Sequence, residues 1–154
     1  MRWRFLVAAC ALGCGGGRPP AAYALDGGNL AVTGAAFVAA RGCPSCHQQA
    51  GHAAGTLAGQ LVPVAGTHAF GANLTPDATT GLGDWADLEI VRAIRFGVDN
   101  AGNPLCPAMP QYPQMGDVEA DAIVAYLRSL PPVTRTIPAS LCPPIKSPPD
   151  MAGN

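Results

Sequence analysis

Cys43-Pro44-Ser45-Cys46-His47 is the stretch on which the reading of this chain turns. Two thiols three residues apart sit about one helical turn from each other. Both can therefore add to the vinyl groups of a single porphyrin. The imidazole that follows then falls beneath the iron as a proximal ligand. C-x-x-C-H is the attachment signature of a c-type haem. Two other readings compete. A thioredoxin-like dithiol expects its pair after a strand in a βαβ unit, and no such strand pattern precedes Cys43. A structural zinc site expects a second ligand pair at matched spacing, whereas Cys106 and Cys142 lie far apart.

The N-terminus bears on the compartment. Arg2 and Arg4, the apolar run at 5–12 and Ala22-Tyr23-Ala24 have the order of a secretory signal and its A-x-A cleavage site. The apolar run is too short to span a bilayer. We expect residues 1–24 to be a removed signal peptide, 25–133 a single haem domain and 134–154 a Pro-rich tail. Ala11-Leu12-Gly13-Cys14 competes as a loose lipobox, with its leucine one place late, that would make Cys14 a lipid anchor. Either way the expected location is periplasmic or otherwise exported, with membrane attachment only if Cys14 is lipidated.

Cysteine and charge counts follow from that processing. Cys10 and Cys14 fall in the leader and Cys43 and Cys46 in the haem motif. Cys106 and Cys142 are left over, and an even remainder in an oxidising compartment suggests one disulfide. Three of the nine basic residues leave with the leader and all ten acidic ones stay, so the mature chain carries a net charge of −4. That balance argues against nucleic acid or an anionic membrane surface as partner.

Three helices stand out in a chain rich in Gly and Pro. The first is expected over about 33–43, with Thr33 as N-cap and Phe37, Val38 and Ala40 facing inward. The second runs over about 84–96, capped by Asp84, with Leu88, Val91 and Ile94 as its apolar face and Gly97 as its C-terminal stop. The third runs over about 117–130, with Ala120, Ile123, Val124 and Leu127 inward and Pro131-Pro132 ending it. The Gly-rich stretch 50–83 is too long for a bare connector unless a haem wall organises it. The tail from 131 reads as extended.

A six-coordinate iron needs a second axial ligand. Met109, Met115, Met151, His52 and His68 are the candidates. Met109 fits best, because Pro107 and Pro110 stiffen the loop around it and it lies between the second and third helices. Met115 is its nearest competitor. His52 is too close to His47 to reach the opposite face, and His68 would make a bis-His haem. A plain gap-filling methionine is the bland alternative for Met109.

Beyond these residues, several segments occur together in a familiar order: Asn73-Leu74-Thr75-Pro76-Asp77, Thr80-Gly81-Leu82-Gly83-Asp84-Trp85, Arg92-Ala93-Ile94-Arg95-Phe96-Gly97-Val98, Pro107-Ala108-Met109-Pro110 and Ala125-Tyr126-Leu127-Arg128-Ser129-Leu130-Pro131. The chain resembles class I cytochromes c. It is similar in particular to the haem domains in cytochrome c subunits of bacterial membrane-bound dehydrogenases and to their single-haem relatives. The resemblance covers most of 33–133 and implies an all-α class I cytochrome c fold, with three main helices and long loops around one covalent haem c. It implies attachment through Cys43 and Cys46, and His47 and Met109 as axial ligands. It places the segment containing Asn73 and Pro76 along one haem edge, and Trp85 and Arg95 beside the propionates, where both can donate hydrogen bonds. Core packing for Trp85 and a solvated helix face for Arg95 compete with those roles. The third helix should cross the first, with Tyr126 and Leu127 against Phe37. His47 should donate its free ring N–H to a backbone carbonyl, which fixes the tautomer; Pro63 lies in the right general region, but the sequence does not single out the acceptor.

Two features depart from the resemblance. The multihaem subunits carry three such domains and a membrane tail, and this sequence has one C-x-x-C-H. Position 106, commonly aromatic before the ligand loop, is Cys106. Paired with Cys142, it would pin the tail beside that loop. The implied function is a mono-haem electron carrier rather than an enzyme, exchanging single electrons with a dehydrogenase donor and an oxidase or another cytochrome as acceptor. A haem enzyme (a peroxidase, or an oxidoreductase of small sulfur or nitrogen compounds) would need an open sixth position with acid–base groups beside it, for which His52 and His68 are the candidates. A haem sensor would need an output domain.

Overall fold

The computed structural model describes residues 27–49, 56–62 and 68–142. The expected leader, Cys14, His52, Pro63 and Met151 lie outside the described residues. In chain order the elements are α1 (Gly27–Ala40), α2 (Pro44–His47), β1 (Gln60–Val62), β2 (Ala69–Gly71), α3 (Asp87–Phe96) and α4 (Asp117–Ser129).

Helix α1 starts six residues before the expected Thr33. Thr33 is not its cap: its hydroxyl donates back to the Asn29 carbonyl at 3.0 Å inside the helix, a local alternative that lets Thr sit mid-helix. The end of α1 is a glycine stop. Gly42 has φ +71°, its N–H donates to Ala39 at 3.0 Å, and the Cys43 N–H donates to Val38 at 3.2 Å. This is the Schellman pattern. It breaks the helix one residue before the C-x-x-C-H stretch, which recoils as the single turn α2 with Pro44 at its first position.

Helix α3 begins three residues later than expected. Asp84 lies in the preceding turn, and the cap is made at Ala86, whose N–H donates to Glu89 Oε2 at 2.8 Å. Gly97, with φ +65°, ends it as expected. Helix α4 follows its expected bounds closely, and Ala120, Ile123, Val124 and Leu127 are buried along with Ala122.

The expectation of an all-α fold needs one correction. Strands β1 and β2 pair antiparallel, with Leu61 opposite Phe70. Each has three residues, too few for an alternating pattern to register in a sequence. The tail adds to this ribbon through a bridge between His68 and Leu141.

The core gathers Val38 of α1, Ile90 of α3, and Ile123, Val124 and Leu127 of α4, with Leu57, Leu82 and Met115 from the loops. Phe37 and Tyr126 pack against it. The α1–α4 crossing is the main helix contact and Gly34 makes it possible. A Cβ at Gly34 would lie 1.8 Å from the Ala122 carbonyl oxygen.

Candidate functional site

A cavity of about 970 Å³ lies against the C-x-x-C-H turn, the 69–82 segment, α3 and the 104–110 loop. Cys43, Cys46, His47, Asn73, Trp85 and Met109 are on its wall.

Turn α2 is built for this position. The Cys46 and His47 N–H groups both donate to the Cys43 carbonyl, at 3.2 and 3.0 Å. Both thiols are free and half-buried. Burial pushes the Cys43 thiol up. The turn is held from behind by the β-ribbon. The Gly59 N–H donates to the His47 carbonyl at 2.7 Å. Gly71 lies so close that a Cβ there would stand 1.8 Å from the Cys46 carbonyl oxygen.

His47 is 8% exposed, and its Nδ1 is 2.8 Å from the Ala72 carbonyl oxygen. A carbonyl can only accept, so Nδ1 carries the proton and Nε2 keeps a lone pair. Burial pushes the His47 pKa down, and the Ala72 bond opposes this to a lesser extent. Burial therefore favours the neutral imidazole. The acceptor is Ala72, 25 residues along the chain, an identity the sequence left open; Pro63 lies outside the described residues.

Asn73 touches the cavity, but its polar atoms are used within the protein. Its Nδ2 donates to Val133 at 2.7 Å and to Thr80 Oγ1 at 3.1 Å. Its Oδ1 accepts from the Thr75 N–H at 3.0 Å and hydroxyl at 2.8 Å. It shapes the wall and ties it to the tail. Pro76, in the bend this turn starts, is not on the wall.

Arg95 also departs from expectation. It is not on the wall, because its guanidinium reaches the first turn of α4 and pairs with Asp117 at 2.8 Å. Trp85 lines the cavity and packs against the core. Its carbonyl and that of Leu82 accept from Arg128 of α4. Sequence reasoning missed Arg128, because its partners are backbone oxygens more than forty residues away.

Among the described residues two methionines line the cavity. Met115 is buried in the core, while Met109 is half-buried in the loop, its N–H donating to the Cys106 carbonyl at 2.9 Å. His68 is exposed and off the wall. Cys106 and Cys142 are joined by a disulfide with Cα atoms 5.6 Å apart, and both line the cavity.

This donor set suits a haem. Two thiols share one turn, a neutral imidazole presents Nε2, and a thioether stands in a loop, around a slot at the upper end of the ~300–1,000 Å³ typical of small-molecule sites. Among the described residues no helix is long and apolar enough to cross a membrane.

Residues 31–131 match the family model described as Cytochrome c. A nicotinate dehydrogenase subunit from Pseudomonas putida is 34% identical over 109 residues, covering 70% of this chain and 9% of that protein. The gluconate 2-dehydrogenase cytochrome c subunit of Pantoea cypripedii is 38% identical over 113 residues, 69% of this chain and 25% of that protein. The cytochrome c subunit of the quinone alcohol dehydrogenase of Gluconacetobacter polyoxogenes is 32% identical over 104 residues, 66% of this chain and 22% of that protein. The chain thus spans a quarter or less of the length of each of these relatives.

Proposed function

This chain belongs to the cytochrome c family, and from that premise we propose that it is a mono-haem electron carrier of the periplasm with a His47/Met109-ligated iron. Cys43 and Cys46 would hold haem c through two thioethers, His47 Nε2 would be the proximal ligand and Met109 Sδ the distal one. Bound there, haem c supplies a one-electron iron couple whose potential His/Met ligation raises.

The observation that carries this reading is the seating of His47. A buried ring whose Nδ1 is committed to the Ala72 carbonyl at 2.8 Å has one free nitrogen, and that nitrogen carries a lone pair. The coil of α2 puts both thiols on the same turn as this ring. Met109 stands in its Pro-flanked loop outside the core, whereas Met115 is buried in the core and could not turn to a ligand without opening a hole there. The disulfide suits an oxidising compartment.

With His47 and Met109 both holding the group, no coordination position would be left for substrate, and the protein's task would be to exchange single electrons with partner proteins. We place a dehydrogenase as donor and an oxidase or another cytochrome as acceptor, docking through a small, transient interface. The dehydrogenase-subunit relatives favour such partners.

The test is an absorption spectrum of the protein matured in a haem-attaching host, oxidised and reduced, with and without carbon monoxide. The expected result is a low-spin spectrum with the ferric methionine–iron charge-transfer band and little response to carbon monoxide. A high-spin spectrum that shifts at once with carbon monoxide overturns the carrier reading in favour of an open site.

A further inference from the structure

The loop that presents Met109 is sparsely anchored. On one side the Leu105 N–H donates to Gly97 at 2.7 Å, and on the other the Tyr112 N–H donates to Ile94 at 3.1 Å. Between those points the loop closes on itself through the Met109 N–H and the Cys106 carbonyl, at 2.9 Å. Its covalent tie to the rest of the protein there is the Cys106–Cys142 disulfide.

The other end of that disulfide is firmly placed. Leu141, next to Cys142, exchanges two backbone hydrogen bonds with His68, at 2.9 and 3.3 Å. The Phe70 N–H donates to Ser140 Oγ at 2.9 Å. Strand β2 then runs through Gly71, seated on the Cys46 carbonyl, into Ala72, which holds the His47 ring. A continuous path therefore links the residue that orients His47 to the residue that starts the Met109 turn, and the disulfide is its covalent step. The segments that flank the bond face outward: Pro107 is exposed, and Leu141 is 69% exposed.

We propose that Cys106 and Cys142 form a thiol-operated strap that positions Met109, so that reducing it opens the sixth position to small ligands. This rests on the reading of Met109 as axial ligand. The step is thiol–disulfide exchange with a dithiol. The reagent's thiolate attacks one protein sulfur, the Cys106–Cys142 bond breaks, and the reagent's second thiol resolves the mixed disulfide. The reagent loses two electrons and two protons and leaves as a disulfide. The protein gains them as two thiols, and the iron takes no part in the balance. With the strap closed the carrier excludes exogenous ligands. With it open the 105–112 loop swings on its two backbone anchors, and the iron binds small nitrogenous or anionic ligands in competition with Met109.

The experiment uses the matured ferric holoprotein and imidazole as probe. Imidazole affinity and binding rate are compared in three forms: the protein as isolated, the protein reduced with a dithiol, capped with iodoacetamide, desalted and reoxidised at iron with ferricyanide, and the Cys106→Ser/Cys142→Ser variant. Thiol counting verifies each state. Apparent affinity scales with the fraction of open loop, so opening the strap is expected to raise it by about tenfold or more. The ferric methionine band should weaken in parallel. The capped wild-type protein supplies the answer if the double variant does not mature. Reoxidising uncapped reduced protein should restore both signals. If the disulfide is merely stabilising, opening it would lower the melting temperature and leave imidazole affinity within about twofold, and that result sinks the strap. If the methionine band is missing from the protein as isolated, the ligation reading itself fails and the strap with it. A band present but indifferent to reduction defeats the strap alone.

Discussion

Gly34 of α1 and Ala122 of α4 meet backbone to backbone: the space a Cβ would take at Gly34 is 1.8 Å from the Ala122 carbonyl oxygen and 2.8 Å from the Tyr126 Cβ. The crossing that carries much of the core thus depends on a missing side chain. Two effects oppose each other in Gly34→Ala. Helix propensity favours alanine by about 1 kcal/mol. Overpacking against a backbone that cannot rotate away costs about 3 kcal/mol or more. The steric effect wins, so the variant should be less stable by about 2 kcal/mol, measured as a shift of the denaturant midpoint of the holoprotein at unchanged slope. Equal or higher stability would mean that the helices can separate cheaply.

Arg128 fastens α4 to the loop that leads into α3. Its guanidinium donates to the carbonyls of Leu82 and Trp85 and to Asp87 Oδ1. The Asp87 carboxylate is largely exposed, so that ion pair contributes little. The two carbonyls, in contrast, have their donor on one planar fork that lysine does not reproduce. Arg128→Lys is expected to cost about 2 kcal/mol, and Asp87→Ala less than about 1 kcal/mol. Paired thermal melts decide it. The reverse ranking would place the energy in the salt bridge.

What could be read from the sequence was what is local in it. The C-x-x-C-H turn needs five adjacent residues, and α4 announces itself by Ala120, Ile123, Val124 and Leu127 at helical spacing. The leftover cysteines could be paired by counting, and the disulfide joins them. Element starts were less legible. Thr33 and Asp84 look like caps, but Thr33 bonds back to Asn29 within α1, and Glu89 serves Ala86 instead. Contacts between distant segments were not legible. The Ala72 carbonyl that holds His47 carries no side-chain signature, since every residue has a carbonyl. Arg95 turned to Asp117 rather than into the cavity because two helix ends meet there. The β-ribbon exists only through pairing between two segments that are each too short to show a pattern.

Met109 and Met115 both line the cavity, and they separate by substitution. Met109→Leu should remove the ferric methionine–iron band and let carbon monoxide bind the reduced protein at once. Met115→Leu conserves volume in the core and should cost about 1.5 kcal/mol or less with the band intact. Spectra of the two variants side by side assign the ligand. Loss of the band in the Met115 variant alone would reverse the assignment.

Asp77 makes acid sensitivity a property of the tail. Its Oδ1 accepts from the Thr80 N–H and hydroxyl at 2.7 Å each and from the Thr79 hydroxyl at 2.9 Å, and its Oδ2 accepts from the Thr134 hydroxyl at 2.8 Å. Hydrogen bonds from Thr80, Thr134 and Thr79 hold this carboxyl well below the usual carboxylate range. A carboxylate whose folded pKa is depressed stabilises the fold above its unfolded value of about 3.9. That contribution fades as pH falls below about 4 toward the folded value. Asp77→Asn keeps the shape but cannot titrate. It should be less stable than the wild type at pH 7, with the gap shrinking steadily as pH falls below about 4. Melting curves of the two proteins across that range are the measurement. A gap that stays constant through the acid limb would show that Asp77 acts there through shape alone and not through its charge.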